Sequence, residues 1–341
     1  MVDDSAFARA SLTKMLSSDP TIEIIGQARD GIEAIAMTAE IKPDVVTLDV
    51  TMPNMDGLTA LRHIMTKYPT PVVMVSALTG TQTKATIEAL ELGAVDFFLK
   101  ASNSGAAARD GTPAALIEKV KLAASTVASR LTRNGAAKRP ASLTPKPSSG
   151  ARPGIKKVVV IGSSTGGPRA LTMVMPYLPA DLPAAVLVVQ HMPEGFTKSM
   201  SERLDQMSVL SVSEASANDK LEQGRALVVP GDYHMTVTRD GAIELNQAPA
   251  VWGVRPAVDI TMESVARAYG HSTVGIVLTG MGSDGTAGTG MIKAAGGKVA
   301  VEDESTCAVY GMPKSVVGAG HADQISPISS IAATIIEMCA T

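Results

Sequence analysis

Cysteine is almost absent: the chain holds two, far apart and without C-x-x-C spacing, which excludes a disulfide framework or a cysteine-rich metal centre. Aromatic residues make up only 3%, leaving few rings to stack on bases or sugars. Neither sign of charge dominates. The 30 basic and 33 acidic residues give a net charge of -3, and that balance calls for neither nucleic acid nor an anionic membrane as partner. No apolar run approaches the roughly 18 residues of a membrane span, so the protein is expected not to be membrane-inserted. Residues Met1–Asp4 have neither the basic region nor the apolar core of a signal peptide. A reducing cytoplasm is the expected compartment.

What is present is a globular composition. Hydrophobic residues reach 45%, and 30 glycines lean toward α/β folds with tight strand-to-helix loops. Residues 22–28 form a short apolar-rich run, and 31–40 has helical spacing. Asp44–Val50 is β-branched and nearly all apolar, as a strand covered on both faces should be. Helices are predicted over 58–66, 81–92 and 113 to about 130, with strands at 71–76 and 95–99. This βα rhythm predicts a parallel sheet with helices on both faces.

From Asn134 to Gly154 the character changes to prolines, serines and glycines, with four basic residues and no acidic ones. That segment reads as a linker. Beyond it the pattern resumes: strands at 157–161, 185–190, 226–229 and 273–278, and helices at 168–177, 196–207 and 257–268. A hairpin is predicted at 235–245 about Asp240-Gly241, and a last strand at 297–301.

Two constellations carry chemistry. Lys157–Ile161 runs into Gly162-Ser163-Ser164-Thr165-Gly166-Gly167 and then a helix. Strand, G-x-S-x-G, helix is a nucleophile elbow: the turn exposes a serine hydroxyl, and N–H groups at the helix start can receive an oxyanion. The competing role for Ser163, Ser164 or Thr165 is a helix cap. His191 directly succeeds the 185–190 strand, and Asp284 lies just past the 273–278 strand. All three fall at strand carboxyl ends, where open α/β sheets bind ligands. Ser164, His191 and Asp284 can serve as nucleophile, base and orienter. Their chain order differs from the Ser…Asp…His order of the common α/β-hydrolase fold.

In the first half, Asp3, Asp4 and Asp49 are acids at strand ends, while Ser76 and Lys100 end two further strands. Acids so placed can hold Mg²⁺ beside a carboxylate nucleophile, with hydroxyl and lysine meeting phosphoryl oxygens.

The stretches VDDSAF, VVTLDVTMPNMDGL, VMVSALT, GSSTGGP, QHMP, GVRPAVD and LTGMGSDG resemble the CheB family of chemotaxis protein-glutamate methylesterases. The resemblance implies an N-terminal flavodoxin-like (βα)5 receiver over 1–133, lacking most of its first strand. It also implies a linker over 134–154 and a doubly wound parallel-sheet methylesterase domain over 155–341. Phosphorylation is implied at Asp49 with Mg²⁺ held by Asp3, Asp4 and Asp49, together with switch residues Ser76 and Lys100 and the triad Ser164, His191 and Asp284. Thr165, Gly166 and the backbone at Met281 line the active site.

By the same resemblance the protein removes methyl groups from glutamate esters on methyl-accepting chemotaxis receptors, and deamidates receptor glutamines. Phosphate comes from a CheA-type histidine kinase. Mg²⁺ serves phosphorylation, and ester hydrolysis needs no cofactor. The protein is expected to be a cytoplasmic monomer recruited to receptor arrays.

Two departures from the family pattern stand out. Only Met1 and Val2 precede the acidic pair, so loss of a central strand is expected to destabilise the receiver and misplace the Mg²⁺ ligands. Lys100 is succeeded by alanine rather than proline, and Ser102–Asp110 reads as a small polar insertion. A receptor-binding module without catalysis, and a lipase or protease, are the alternative functions. The complete Ser-His-Asp set disfavours the first, and the attached receiver and triad order disfavour the second.

Overall fold

A computed structural model describes residues 1–77, 80–100, 111–126 and 155–340. The chain divides into two compact units, Met1–Asn134 and Gly135–Thr341. The expected linker over 134–154, the Ser102–Asp110 insertion and Ala101 lie outside the described residues.

In the first unit, β1 (Val46–Asp49), β2 (Val72–Ser76) and β3 (Asp96–Leu99) pair in parallel in that order, every residue buried. Five described helices accompany them: α1 (Ala6–Leu16), α2 (Gly31–Ile41), α3 (Gly57–Lys67), α4 (Gly80–Glu91) and α5 (Pro113–Ala124). Caps fix several starts. The Asp30 carboxylate accepts the N–H groups of Ile32 and Glu33, and Asp56 accepts that of Thr59.

The apolar run at 22–28 does not become a strand; only Ala28 pairs, in a parallel bridge with Val2. The two residues before the acidic pair nevertheless keep register. Val2 N–H donates to Thr47 O at 2.8 Å, Asp49 N–H to Val2 O at 3.0 Å, and Ala28 N–H to Met1 O at 2.9 Å. The expected misplacement of the acidic pair does not occur, because Val2, bonded on both sides, fixes where the backbone enters Asp3 and Asp4.

The second unit is built on a seven-stranded parallel sheet. Its strands in chain order are β4 (Lys157–Ser163), β5 (Ala184–Gln190), β6 (Ser211–Glu214), β7 (Arg225–Val228), β10 (Thr273–Val277), β11 (Lys298–Glu302) and β12 (Gln324–Ser326). Spatially they run β12-β11-β10-β4-β5-β7-β6. A hairpin, β8 (His234–Val237) with β9 (Ile243–Asn246), stands apart as predicted. The helices are α6 (Gly167–Val174), α7 (Phe196–Met207), α8 (Val258–Tyr269), α9 (Thr286–Ala294), α10 (Met312–Gly318) and α11 (Ile328–Ala340).

The central strands are sealed. Val158, Val160, Leu187, Val277 and Val299 are at most 1% exposed and pack with Met262 and Val265 of α8. Each such side chain contributes roughly 1.5–3 kcal/mol. The sheet carries β6 and β12 beyond the strands predicted from sequence. Both are edge strands, short and half polar (SVSE, QIS), so apolar periodicity does not reveal them. Strand order reverses between β4 and β10, and that crevice is where an open α/β sheet places its ligand.

Candidate active site

Three adjacent strands, β10, β4 and β5, deliver three side chains to one sheet edge. Ser164 is the first residue after β4, His191 the first after β5, and Asp284 lies in the loop leaving β10. The helix after the serine turn is not capped by a side chain. Its N-cap is Gly166, in the left-handed region at φ 79°, so the capping role for Ser163, Ser164 or Thr165 is not the one used.

Asp284 is the best-supported group. Its side chain is 2% exposed and its Oδ2 lies 2.7 Å from His191 Nε2. The same oxygen accepts Val258 N–H at 2.7 Å, while Oδ1 accepts Asp259 N–H and Gly285 N–H, each at 2.9 Å. Burial works against its charge. The His191 bond and the N–H groups of Asp259 and Val258 outweigh burial and hold this carboxyl below the ordinary carboxylate range. Burial, with the charge of Asp284 adding to it, instead pushes the neighbouring Asp259 up. Asp284, the acid that holds the histidine, is therefore the more acidic of the two.

The loop supplying Val258 N–H is itself anchored. Buried His234 accepts Ala257 N–H at Nδ1 (3.3 Å), with Nε2 3.2 Å from Pro249 O. Burial lowers the pKa of His234 and favours the neutral ring that this pattern needs.

Ser164 is half-buried and held by its backbone. Its N–H donates to Thr279 O at 3.1 Å, and its carbonyl accepts Gly167 N–H at 2.8 Å. Gly280 must be glycine, because a Cβ there would sit 2.8 Å from Ser164 Cβ and 2.4 Å from Met312 Sδ. Thr165 is buried, and its carbonyl accepts the Thr279 hydroxyl at 3.0 Å. Met281 is 39% exposed, on the loop that leads to Asp284.

Sequence reasoning missed Gln190, Thr279 and Glu302. Each is a polar residue ending or succeeding an apolar buried strand, the one signal that would have flagged them. Glu302 is fully enclosed. It accepts Thr279 N–H at 2.8 Å and the Thr306 hydroxyl at 3.0 Å, and burial pushes its pKa to about 7 despite those bonds and Arg169.

A carboxyl raised by folding withholds stability as it ionises. The cost is absent below its unfolded pKa of 4.5, grows to about pH 7 and is full above that. A rise from 4.5 to about 7 is worth about 3 kcal/mol. Glu302→Gln keeps an acceptor for Thr279 and cannot ionise, so its Tm should gain on wild type between pH 5 and pH 8. A Tm difference that stays flat over that range would refute the assignment.

In the first unit, one oxygen each from Asp3, Asp4 and Asp49 lies within 4.8 Å of the others. Asp3 Oδ2 is buried without a well-formed hydrogen bond, although Lys100 Nζ lies 2.9 Å away. Hard carboxylate oxygens with an unsatisfied lone pair are the donor set a Mg²⁺ ion takes. Lys100 Nζ also lies 2.8 Å from Asp49 Oδ2. Burial pushes the Asp49 carboxyl up, with Lys100 opposing and Asp3 adding to the rise. Burial disfavours the Lys100 charge, yet the hydrogen bond to Asp49 and the nearby Asp3 carboxylate win and raise its pKa. Ser76 is buried at the end of β2, but its hydroxyl pairs with Thr86 (3.0 Å) and Ala77 O (3.2 Å) rather than with the acids.

A receiver-type acidic pocket and a parallel α/β unit with Ser, His and Asp at adjacent strand ends define a response regulator with a hydrolase output domain. Family models agree: residues 1–107 match the response regulator receiver domain and 159–335 match CheB methylesterase. The chain belongs to the CheB family of protein-glutamate methylesterases/protein-glutamine glutaminases. The enzyme of that name from Symbiobacterium thermophilum is 49% identical over 98% of this chain and 95% of its own length. Its counterpart from Pyrococcus horikoshii is 47% identical over 99% of this chain and 92% of its own. The crystal structure of the Thermotoga maritima CheB methylesterase catalytic domain is 46% identical. It covers 53% of this chain and 98% of that one, with a TM-score of 0.52. None of the described helices is long and apolar enough to cross a membrane.

Proposed function

We propose that residues 155–341 hydrolyse glutamate γ-methyl esters, and deamidate glutamines, on methyl-accepting chemotaxis receptors, under control of a receiver over 1–133 joined through 134–154. The observation that carries the reading is the His191–Asp284 bond, at the sheet edge that also presents Ser164. Because His191 Nε2 is committed to Asp284, Nδ1 is the nitrogen that takes the Ser164 proton. Ser164 Oγ attacks the ester carbonyl, and backbone N–H groups around Thr165, Gly166 and Met281 meet the oxyanion. The imidazolium returns its proton to the departing methoxide, and methanol leaves. Water, deprotonated by the same ring, then cleaves the acyl-enzyme. With glutamine the leaving group is ammonia.

Asp49 is the phosphoacceptor in this reading, and Asp3, Asp4 and Asp49 would hold Mg²⁺. The ion supplies positive charge against the incoming phosphoryl oxygens, with Lys100 and Ser76 as switch residues. The phosphate donor is a CheA-type histidine kinase. The enzyme acts in the cytoplasm, at membrane-associated receptor arrays.

The test is methanol release from methylated receptor membranes, with and without a small phosphodonor. Release should rise with the donor, and the rise should vanish in Asp49→Ala and on chelating Mg²⁺, while unstimulated release continues. A donor response that survives in Asp49→Ala would remove Asp49 from the mechanism. Binding to receptors without methanol release would instead favour the receptor-binding module.

A further inference from the structure

We propose that Gln190 is a positioning residue that sets the spacing between nucleophile and general base, given Ser164 and His191 in those roles. The parallel ladder between β4 and β5 ends at the pair Ser163↔Gln190. The last backbone bond across it is His191 N–H to Ser163 O, at 3.1 Å. Beyond that rung the chains leave the sheet as two separate loops, and the two reacting side chains are the first residues of those loops. Something other than the ladder must hold them in register.

The Gln190 side chain does so. Its Nε2 donates to Ser164 O at 2.9 Å and to His191 O at 3.2 Å, spending both amide hydrogens on the carbonyls of the reacting residues. Its Oε1 accepts the Ser163 hydroxyl at 2.6 Å. Gln190 is 2% exposed and Ser163 0%, so no bulk water substitutes for a lost bond. The amide orientation is forced: a flip would set Oε1 against two carbonyl oxygens. The Ser163 side chain thus acts on the site by holding that oxygen.

Gly167 fits the same device. A Cβ at that position would lie 2.1 Å from Gln190 Oε1 and 2.8 Å from Ser163 Cβ. The glycine that opens the helix after the nucleophile is what leaves room for the amide. An ordinary core polar group needs satisfied hydrogen bonds, but nothing in that requirement selects the backbones of nucleophile and base as joint partners.

The test uses the full chain and compares Gln190→Met, Ser163→Ala, the double variant and Ser164→Ala. Methanol release is scaled to the sites titrated by a fluorophosphonate, well below each Tm. Gln190→Met keeps length and loses both donors. It should lower kcat per titrated site about 30- to 100-fold, the penalty expected of a reacting pair displaced by roughly 1 Å. KM should move by less than about threefold, because substrate binding is not what is lost. Ser163→Ala should cost less, and should cost nothing further in the Gln190→Met background, since its route runs through the amide.

A merely structural glutamine would reduce the titratable fraction and leave kcat per titrated site within about threefold of wild type. That result would overturn the proposal, as would additive losses in the double variant. If instead Ser164→Ala retains activity and the wild type resists the fluorophosphonate, the roles of Ser164 and His191 fail, a different failure from that of the clamp.

Discussion

Ser164→Ala is expected to lower methanol release from methylated receptors by about 10⁴-fold or more, the usual cost of deleting the nucleophile of a serine hydrolase. The size reflects how much the change leaves intact. The bonds that place residue 164 run through its backbone, to Thr279 O, Gly167 N–H and the Gln190 amide. An alanine keeps all three, so folding should be undisturbed, with Tm within a degree or two of wild type. Receptor affinity should be equally unaffected, which separates this variant from one that merely unfolds. Residual turnover would come from the oxyanion donors and the orientation of bound ester. Release above about one part in a hundred of wild type would exclude a covalent mechanism through this serine.

That serine was legible because its turn is written in consecutive residues. The apolar run 157–161, the glycines on either side and the helix after them appear in a stretch of about a dozen positions. Periodicity also revealed the central strands, which are apolar from end to end because both faces are covered. It failed at the sheet's margins. Ser211–Glu214 and Gln324–Ser326 alternate or are too short, and their pairing depends on neighbours far away in sequence. The run at 22–28 failed in the opposite direction: its composition suits a strand, but only Ala28 pairs, with Val2.

Within the candidate site, the residues proposed to react were easier to find than those that hold them. Histidine after an apolar strand is rare enough to notice. A glutamine or glutamate ending such a strand, as Gln190 and Glu302 do, looks like any chain leaving a sheet for water. Only the fold shows that both are buried, with Gln190 bonded to the Ser164 carbonyl and Glu302 to the Thr279 N–H. The GVRPAVD stretch is a similar case. Its resemblance to the family was visible, but not its task, which is to deliver the N–H groups of Val258 and Asp259 to Asp284.

That task makes Asp284→Asn the second large expected effect, on activity and stability together. Asp284 accepts on both oxygens. His191 Nε2 and Val258 N–H converge on Oδ2, and Asp259 and Gly285 N–H on Oδ1. Asparagine has one oxygen to offer, so whichever way the amide turns, its NH₂ group faces two donors. With the oxygen kept toward Asp259 and Gly285, the NH₂ confronts His191 and Val258. The histidine must then present a bare Nε2 and carry its proton on Nδ1, the nitrogen that should act as base. Loss of the productive tautomer costs about 10⁴-fold in kcat in such triads. With the amide turned the other way His191 keeps its partner, but two buried N–H groups at the start of α8 and α9 lose theirs, at about 1–3 kcal/mol each. Either orientation also removes the charge that stabilises the imidazolium. Asp284→Asn should therefore show a kcat loss of about 10³- to 10⁴-fold together with a Tm lowered by several degrees. Ser164→Ala, by contrast, should lose only activity. A fully stable Asp284→Asn would mean that the backbone donors find water instead, and a fully active one would mean that His191 does not depend on Asp284 for its tautomer.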